Sequence, residues 1–142
     1  MSLIGIKAPL RDYLLEDAAV AAAVGTRIFP GRMPQGEART SIVITEVSGD
    51  GDHTNDGPSG LTRQRVQIDS WSSNPDTAAD LARAVKERID GLRGVLSWGS
   101  SSPQSQVTIR GVFFDSSRDL YDDTVKMDGV SQDFFIWYAE RA

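Results

Sequence analysis

Apolar positions fall into two helical runs and four alternating ones. In APLRDYLLEDAAVAAAVG, Leu10, Tyr13, Leu14, Ala18, Ala21 and Val24 recur at steps of three and four residues, with Pro9 suited to a first turn and Gly25 to a stop. This spacing predicts one alanine-rich amphipathic helix over residues 8–24. A second helix follows SSN, where Asn74 can cap, Pro75 fits the first helical position and Asp76 complements the positive end of the helix dipole. Its apolar stripe is Ala78, Leu81, Ala82, Val85, Ile89 and Leu92, and Asp80, Arg83, Lys86, Glu87 and Arg88 form a solvated face. Gly91 and Gly94 close it.

The remaining patterned segments are β-like. Ser41 to Val47 places Val43, Thr45 and Val47 on one face and Ile42, Ile44 and Glu46 on the other, as expected of a central strand. In Arg63 to Trp71, Val66, Ile68 and Ser70 face one way and Arg63, Arg65, Gln67, Asp69 and Trp71 the other, so one face packs on the core and the other is polar. The two segments are adjacent along the chain and joined by a turn-rich stretch, which predicts an antiparallel hairpin. Val107 to Phe114 resumes strand, and Gly129 to Tyr138 is a terminal aromatic strand, apolar on both faces and expected inside the sheet or against another subunit. TRIFPGRMPQG holds a short extended piece, Arg27 to Phe29, broken twice by Pro and Gly, and SWGSSSPQS reads as a loop. The order α-β-β-α-β-β predicts a single α+β domain over residues 1–142, with a mostly antiparallel four-stranded sheet and two helices packed on one face. A chain of 142 residues is long enough to bury a substantial core.

Charge changes the picture more than composition does. The net charge is −5, and residues 46–57 carry −4 from Glu46, Asp50, Asp52 and Asp56, while residues 115–128 carry −3, leaving the rest at +2. Acid is concentrated in two connections and a basic stripe is missing, so specific nucleic-acid binding is not expected. There is no cysteine, which excludes disulfides, thiolate metal sites and cysteine nucleophiles. No window approaches the ~20 apolar residues of a spanning helix, so no membrane partner is expected.

Candidate chemistry centres on SGDGDHTNDGPSGL, residues 48–61. Asp50 and Asp52 stand where the first two carboxylates of a calcium-binding EF-hand loop would be. Its sixth position, however, is Asn55 instead of glycine, and its twelfth is Leu61 instead of a bidentate glutamate. His53, the only histidine, lies among glycines and aspartates with no element to position it as a general base. GPSG lacks the frame of a nucleophile elbow. Asp122 and Asp123 are adjacent and point apart in strand or helix, which does not make an acid/base pair. No phosphate-binding glycine loop occurs. The reading is of a protein without catalytic residues, cofactor or metal, in which the 48–61 stretch is a hairpin connection with turn chemistry at Asp56 to Leu61.

Four stretches in order, DAAVAAAVGTRIFPGRMPQG, SIVITEVSG, DGPSGLTRQRVQIDSW running into ADLARAVKERIDGL, and GVFFDSSRDLYDD with SQDFFIWY, together resemble the tail-completion, or tail-to-head joining, proteins of long-tailed phages and prophages. These are related in fold to tail terminators such as that of phage lambda. The resemblance spans nearly the whole chain and rests on packing and turn motifs in sequence. It implies a non-enzymatic virion protein, made in the host cytoplasm and placed in the tail or neck. There it forms a ring, usually hexameric, that caps the tail tube protein and joins it to the head connector or neck protein, with DNA passing through the lumen. Asp50, Asp52, Asp56, Arg63, Arg65, Asp119, Asp122 and Asp123 are then the candidate subunit or channel contacts. A head-to-tail ring needs two complementary surfaces, which the acidic connections and Arg27, Arg32, Arg39, Arg63 and Arg65 can supply. Alternatively, the acid lines the channel and repels DNA. Two rivals stand beside this reading: another small neck or minor tail component such as a head-closure protein, and a small metal-dependent hydrolase using Asp50, Asp52, His53 and Asp56.

Overall fold

The computed structural model describes residues 6–32, 34, 39–54, 57–98 and 105–139, with backbone alone for residues 48–54, 57–61, 98 and 105. In chain order its elements are α1 (Lys7–Leu15), α2 (Ala18–Val24), β1 (Ile28–Pro30), β2 (Ser41–Thr54), β3 (Gly57–Ser72), α3 (Pro75–Ile89), β4 (Gly94–Trp98), β5 (Ser105–Asp122) and β6 (Met127–Ala139). The strands form one sheet in the order β1-β2-β3-β6-β5-β4.

This corrects the expected four-stranded, mostly antiparallel sheet with two helices. The sheet has six strands and is mixed, because β1 runs parallel to β2, with Ile28 opposite Ile42, while every other pairing is antiparallel. The two added strands are edges. β1 is the short extended piece of TRIFP, carried into the sheet when Ile42 N–H donates to the Arg27 carbonyl at 3.0 Å. β4 is Gly-Val-Leu-Ser-Trp, whose brief alternation is hidden between a helix exit and a serine-rich stretch, and it pairs Gly94 with Ile109 through Trp98 with Ser105.

The single helix expected over 8–24 is two helices. Asp17 adopts an extended conformation and its carboxylate accepts from Val20 N–H at 3.1 Å, so it caps a new helix and ends the preceding one. Asp is a weak residue inside a helix and a strong one at an N-cap, and here the cap wins. α3 starts as read, with Asn74 Oδ1 accepting from Asp76 N–H at 2.8 Å and Pro75 in the first turn.

All three helices share one apolar core with the sheet. Leu10 and Leu14 of α1, Val20 and Val24 of α2, and Leu81, Val85 and Ile89 of α3 are buried against Ile42, Ile44, Val66, Ile68, Val107, Ile109, Val112, Phe134 and Ile136. Each such side chain contributes about 1.5–3 kcal/mol when fully buried. Phe134 meets Phe114 edge to face at 5.6 Å between ring centroids. Polar ties fix the helices to one another and to the sheet. The Arg88 guanidinium lies over the Tyr13 ring at 3.7 Å and donates from Nε and Nη2 to the Tyr13 carbonyl, both at 3.1 Å. Phe114 N–H donates to Asp90 Oδ1 at 3.0 Å where β5 shifts register between Phe114 and Ser116.

Both acidic segments, expected as loops, are mostly strand. β2 continues to Thr54 and β3 begins at Gly57, and β5 continues to Asp122. Interior backbone pairing overrides the glycine-rich composition, with irregular register between Glu46 and Ser48 and again between Gly51 and His53 absorbing the awkward residues.

Candidate functional site

Register fixes where the two acidic segments lie. β3 pairs with β6 from Leu61 opposite Ala139 to Ser72 opposite Asp128. The β2–β3 end, at Thr54 and Gly57, therefore lies where β6 finishes, and the β5–β6 turn, between Asp122 and Met127, lies where β3 finishes. The structure thus puts the two groups of candidate acids at opposite ends of one sheet. Asp50 sits on β2 opposite Arg63, and Asp52 is on the same strand, but their side chains and all of Asp56 lie outside the described residues.

At the β5–β6 turn two of the three acids have local work. Asp122 Oδ1 accepts from Thr124 N–H at 2.9 Å and from Val125 N–H at 3.4 Å, closing the turn, and Asp123 pairs with Lys126 Nζ at 3.1 Å. Lys126 itself takes a left-handed φ of 57°, which completes the reversal. Asp119 is exposed, and Tyr121 beside it is 57% exposed.

Arg63 and Arg65 belong to the sheet face that carries no helix among the described residues. Alternation along β3 puts Arg63, Arg65, Gln67, Asp69 and Trp71 there, opposite Trp137, Phe135, Asp133, Ser131 and Gly129 of β6. One half of this face is aromatic. The Arg63 guanidinium stands 5.4 Å from the Phe135 ring centroid and 5.8 Å from that of Trp137, Arg65 stands 5.7 Å from Phe135, and Phe113 opposite Phe135 on β5 is 57% exposed.

The other half is ionic and centres on Asp133, whose side chain is 4% exposed. Its Oδ2 accepts from Arg65 Nη2 at 2.9 Å and from Ser116 Oγ at 3.4 Å, with Arg118 Nη1 at 3.5 Å. Arg118 Nη2 donates to Gln67 Oε1 at 3.2 Å, and Gln67 Nε2 donates to both carboxylate oxygens of Asp69 at 3.1 Å. Burying a carboxylate is costly unless it is paired, and here two guanidinium groups cover it. The hydrogen bond to Asp133 and then the Asp133 charge hold the Arg65 guanidinium above its ordinary pKa, against a smaller opposing effect of desolvation and with Asp115 at 3.9 Å adding to the rise. Arginine is a cation throughout the ordinary pH range, so its side of this pairing is lost only in strong alkali.

The sequence reading named Arg63 and Arg65 and the aromatic strand Gly129 to Tyr138, but not Asp133 or Arg118 as the ionic partners on this face. One signal was present: Asp133 is the single charge within the strongly apolar run from Gly129 to Tyr138. Among the described residues no group of three His, Asp or Glu side chains is arranged to hold a metal, and no helix is long and apolar enough to cross a membrane.

The family described as "Tail completion protein gp17" matches residues 8–139. The chain belongs to this family. Its role is structural, in the assembly of the tail and neck, and its place is the tail and neck of a virion. No curated protein matches the chain. A solved chain from a structure titled "Virion of native gene transfer agent (GTA) particle" is similar in fold, with a TM-score of 0.72, 19% identity and 94% of each chain covered. The described helices α1, α2 and α3 fill one face of the sheet with apolar core.

Proposed function

We propose that this tail completion protein forms a ring at the head-proximal end of the tail tube, capping the tube and joining it to the head connector while DNA passes through the lumen. The observation that carries this reading is the family match over residues 8–139. Two features of the fold support it. The sheet presents different surfaces at its two ends, as a heterologous, ring-closing contact requires. Its helix-free face also exposes Phe113 and half-exposes Phe135 and Trp137 beside arginines, the composition of a protein interface core.

A non-enzymatic role is part of this proposal, and what supports it is the family match. Asp50, Asp52 and Asp56 are proposed as contacts at the β2–β3 end. The test is to add purified protein to tail tubes of its own virus that lack it and image the tube ends. Ring density at one end, and only one, is expected. Bare ends at micromolar protein contradict the proposal.

A further inference from the structure

Two arginines that neither the core nor the ionic half of the sheet uses come together at the start of β4. Gly91 N–H donates to the Val112 carbonyl at 2.9 Å, and Gly94 pairs with Ile109. Leu92 and Arg93 therefore run alongside Arg110 and Gly111. Arg110 is the extra residue where β5 shifts register against β6, between Ile109 opposite Tyr138 and Gly111 opposite Trp137. Arg93 and Arg110 are both exposed, and among the described residues neither side chain has an acid or other polar partner. The acids next to them along the chain are committed elsewhere. Asp90 Oδ1 accepts from Phe114 N–H at 3.0 Å, and Asp115 lies 3.9 Å from Arg65.

Apolar surface borders the pair. A Cβ at Gly111 would lie 2.9 Å from Phe113 Cε2, so the exposed Phe113 ring reaches over Gly111, the residue beside Arg110. Val95, two residues beyond Arg93, is exposed on the strand that forms one edge of the sheet. We infer that this corner of the sheet is a docking site for an acidic segment of another virion protein. Arg93 and Arg110 receive two carboxylates, and Phe113 and Val95 receive an apolar side chain between them. The site lies within one protomer and stands whether or not the protomers close into a ring.

Charge complementarity selects the occupant. Like charges side by side on neighbouring strands destabilise a sheet, and each guanidinium offers a planar fork that matches a carboxylate in two hydrogen bonds. An incoming pair of carboxylates removes the repulsion and fills both forks. The surroundings favour a protein over a nucleic acid. Tight nucleic-acid binding takes about 6–10 phosphate contacts, whereas this corner offers two unpaired cations on a chain of net charge −5. Arginine and aromatic side chains without lysine are the make-up of a protein interface centre. A second copy is the poorer match, because at the acidic β5–β6 turn Asp122 holds two backbone amides and Asp123 pairs with Lys126. β4 is also the less guarded edge of the sheet. β1 is three residues long and ends at Pro30, whereas Gly94–Trp98 carries neither proline nor charge and can accept an extended segment.

A photo-crosslink read in assembled particles tests this. The variant Val95→p-benzoylphenylalanine places a photoreactive ring near both arginines and leaves them in place. After irradiation, mass spectrometry should find it joined to a segment of another virion protein that carries two or more Asp or Glu residues. Adding Arg93→Glu and Arg110→Glu should lower the yield per incorporated copy by about tenfold or more, and adding Arg93→Lys and Arg110→Lys should lower it far less. If the reversed variant does not enter particles, Arg93→Gln with Arg110→Gln replaces it, with the same direction expected. The same probe at Arg83, on the exposed side of α3, should not reach that segment. Crosslinks to DNA, to a second copy of this chain or to a segment without acid overturn the inference. So does a yield that removal of the charges leaves unchanged, or no crosslink at all. Such a failure with rings still seen on tube ends removes the docking site and leaves the ring reading in place.

Discussion

Arg65 Nη2 donates to Asp133 Oδ2 at 2.9 Å across the β3–β6 ladder, on a sheet face that no helix covers, yet the Asp133 side chain is only 4% exposed. Arginine side chains, not an apolar layer, close over this part of the sheet. The arrangement keeps one half of the face polar and leaves the aromatic half as the more apolar exposed part, with Phe113 57% exposed.

Removing the carboxylate should therefore cost stability even though no apolar core is lost. Asp133→Ala leaves Arg65 and Arg118 without their shared acceptor, although both are partly solvated and can recover water, so the cost should be about 1–3 kcal/mol. Urea unfolding with an unchanged slope and a lower midpoint would show it.

Two glycines on the same face should respond differently to alanine. A Cβ at Gly129 would lie 2.8 Å from Trp71 Cε3, against a half-buried ring held on the sheet, while one at Gly111 would lie 2.9 Å from Phe113 Cε2, at the far end of a ring that is 57% exposed. Gly129→Ala is expected to destabilise by about 1–3 kcal/mol, as overpacking does. Gly111→Ala should cost clearly less, because Phe113 can swing into solvent. Thermal melts of the two variants side by side test the difference, and equal losses would show that Phe113 is not free to move.

Helix α3 depends on its cap. Asn74 Oδ1 accepts from Asp76 N–H at 2.8 Å and Thr77 N–H at 3.4 Å, so Asn74→Ala should cost roughly 1 kcal/mol and Asn74→Asp much less. Loss of helical ellipticity at an earlier denaturant concentration in the alanine variant alone is the expected result.

How much of this was legible beforehand varies with how the information is carried. The α3 cap, the alternation of Arg63 to Trp71 and the placement of the aromatic C-terminal strand inside the sheet follow from short-range rules, and each was readable. β1 was readable only as a short extended piece and β4 not at all, because strands of three and five residues gain their pairing from neighbours distant along the chain, and Pro30 and Gly94 read locally as breaks. The split between α1 and α2 turned on whether Asp17 continues a helix or caps one, a choice made by the tertiary packing of Val20 and Val24. The two acidic segments read as loops because glycine and aspartate dominate them, whereas the ladder continues through them. Of the candidate contacts, Arg63 and Arg65 proved to share one face, while their buried partner Asp133 was concealed by the apolar residues around it.

The central claim is that this chain completes a tail so that it can join a head, and deleting its gene tests that claim most directly. Electron micrographs of particles made without the protein should show filled heads and separate tails. Supplying wild-type protein in trans should restore joined particles, and supplying Arg63→Glu should restore far fewer. Normal, joined particles in the absence of the protein would contradict the account.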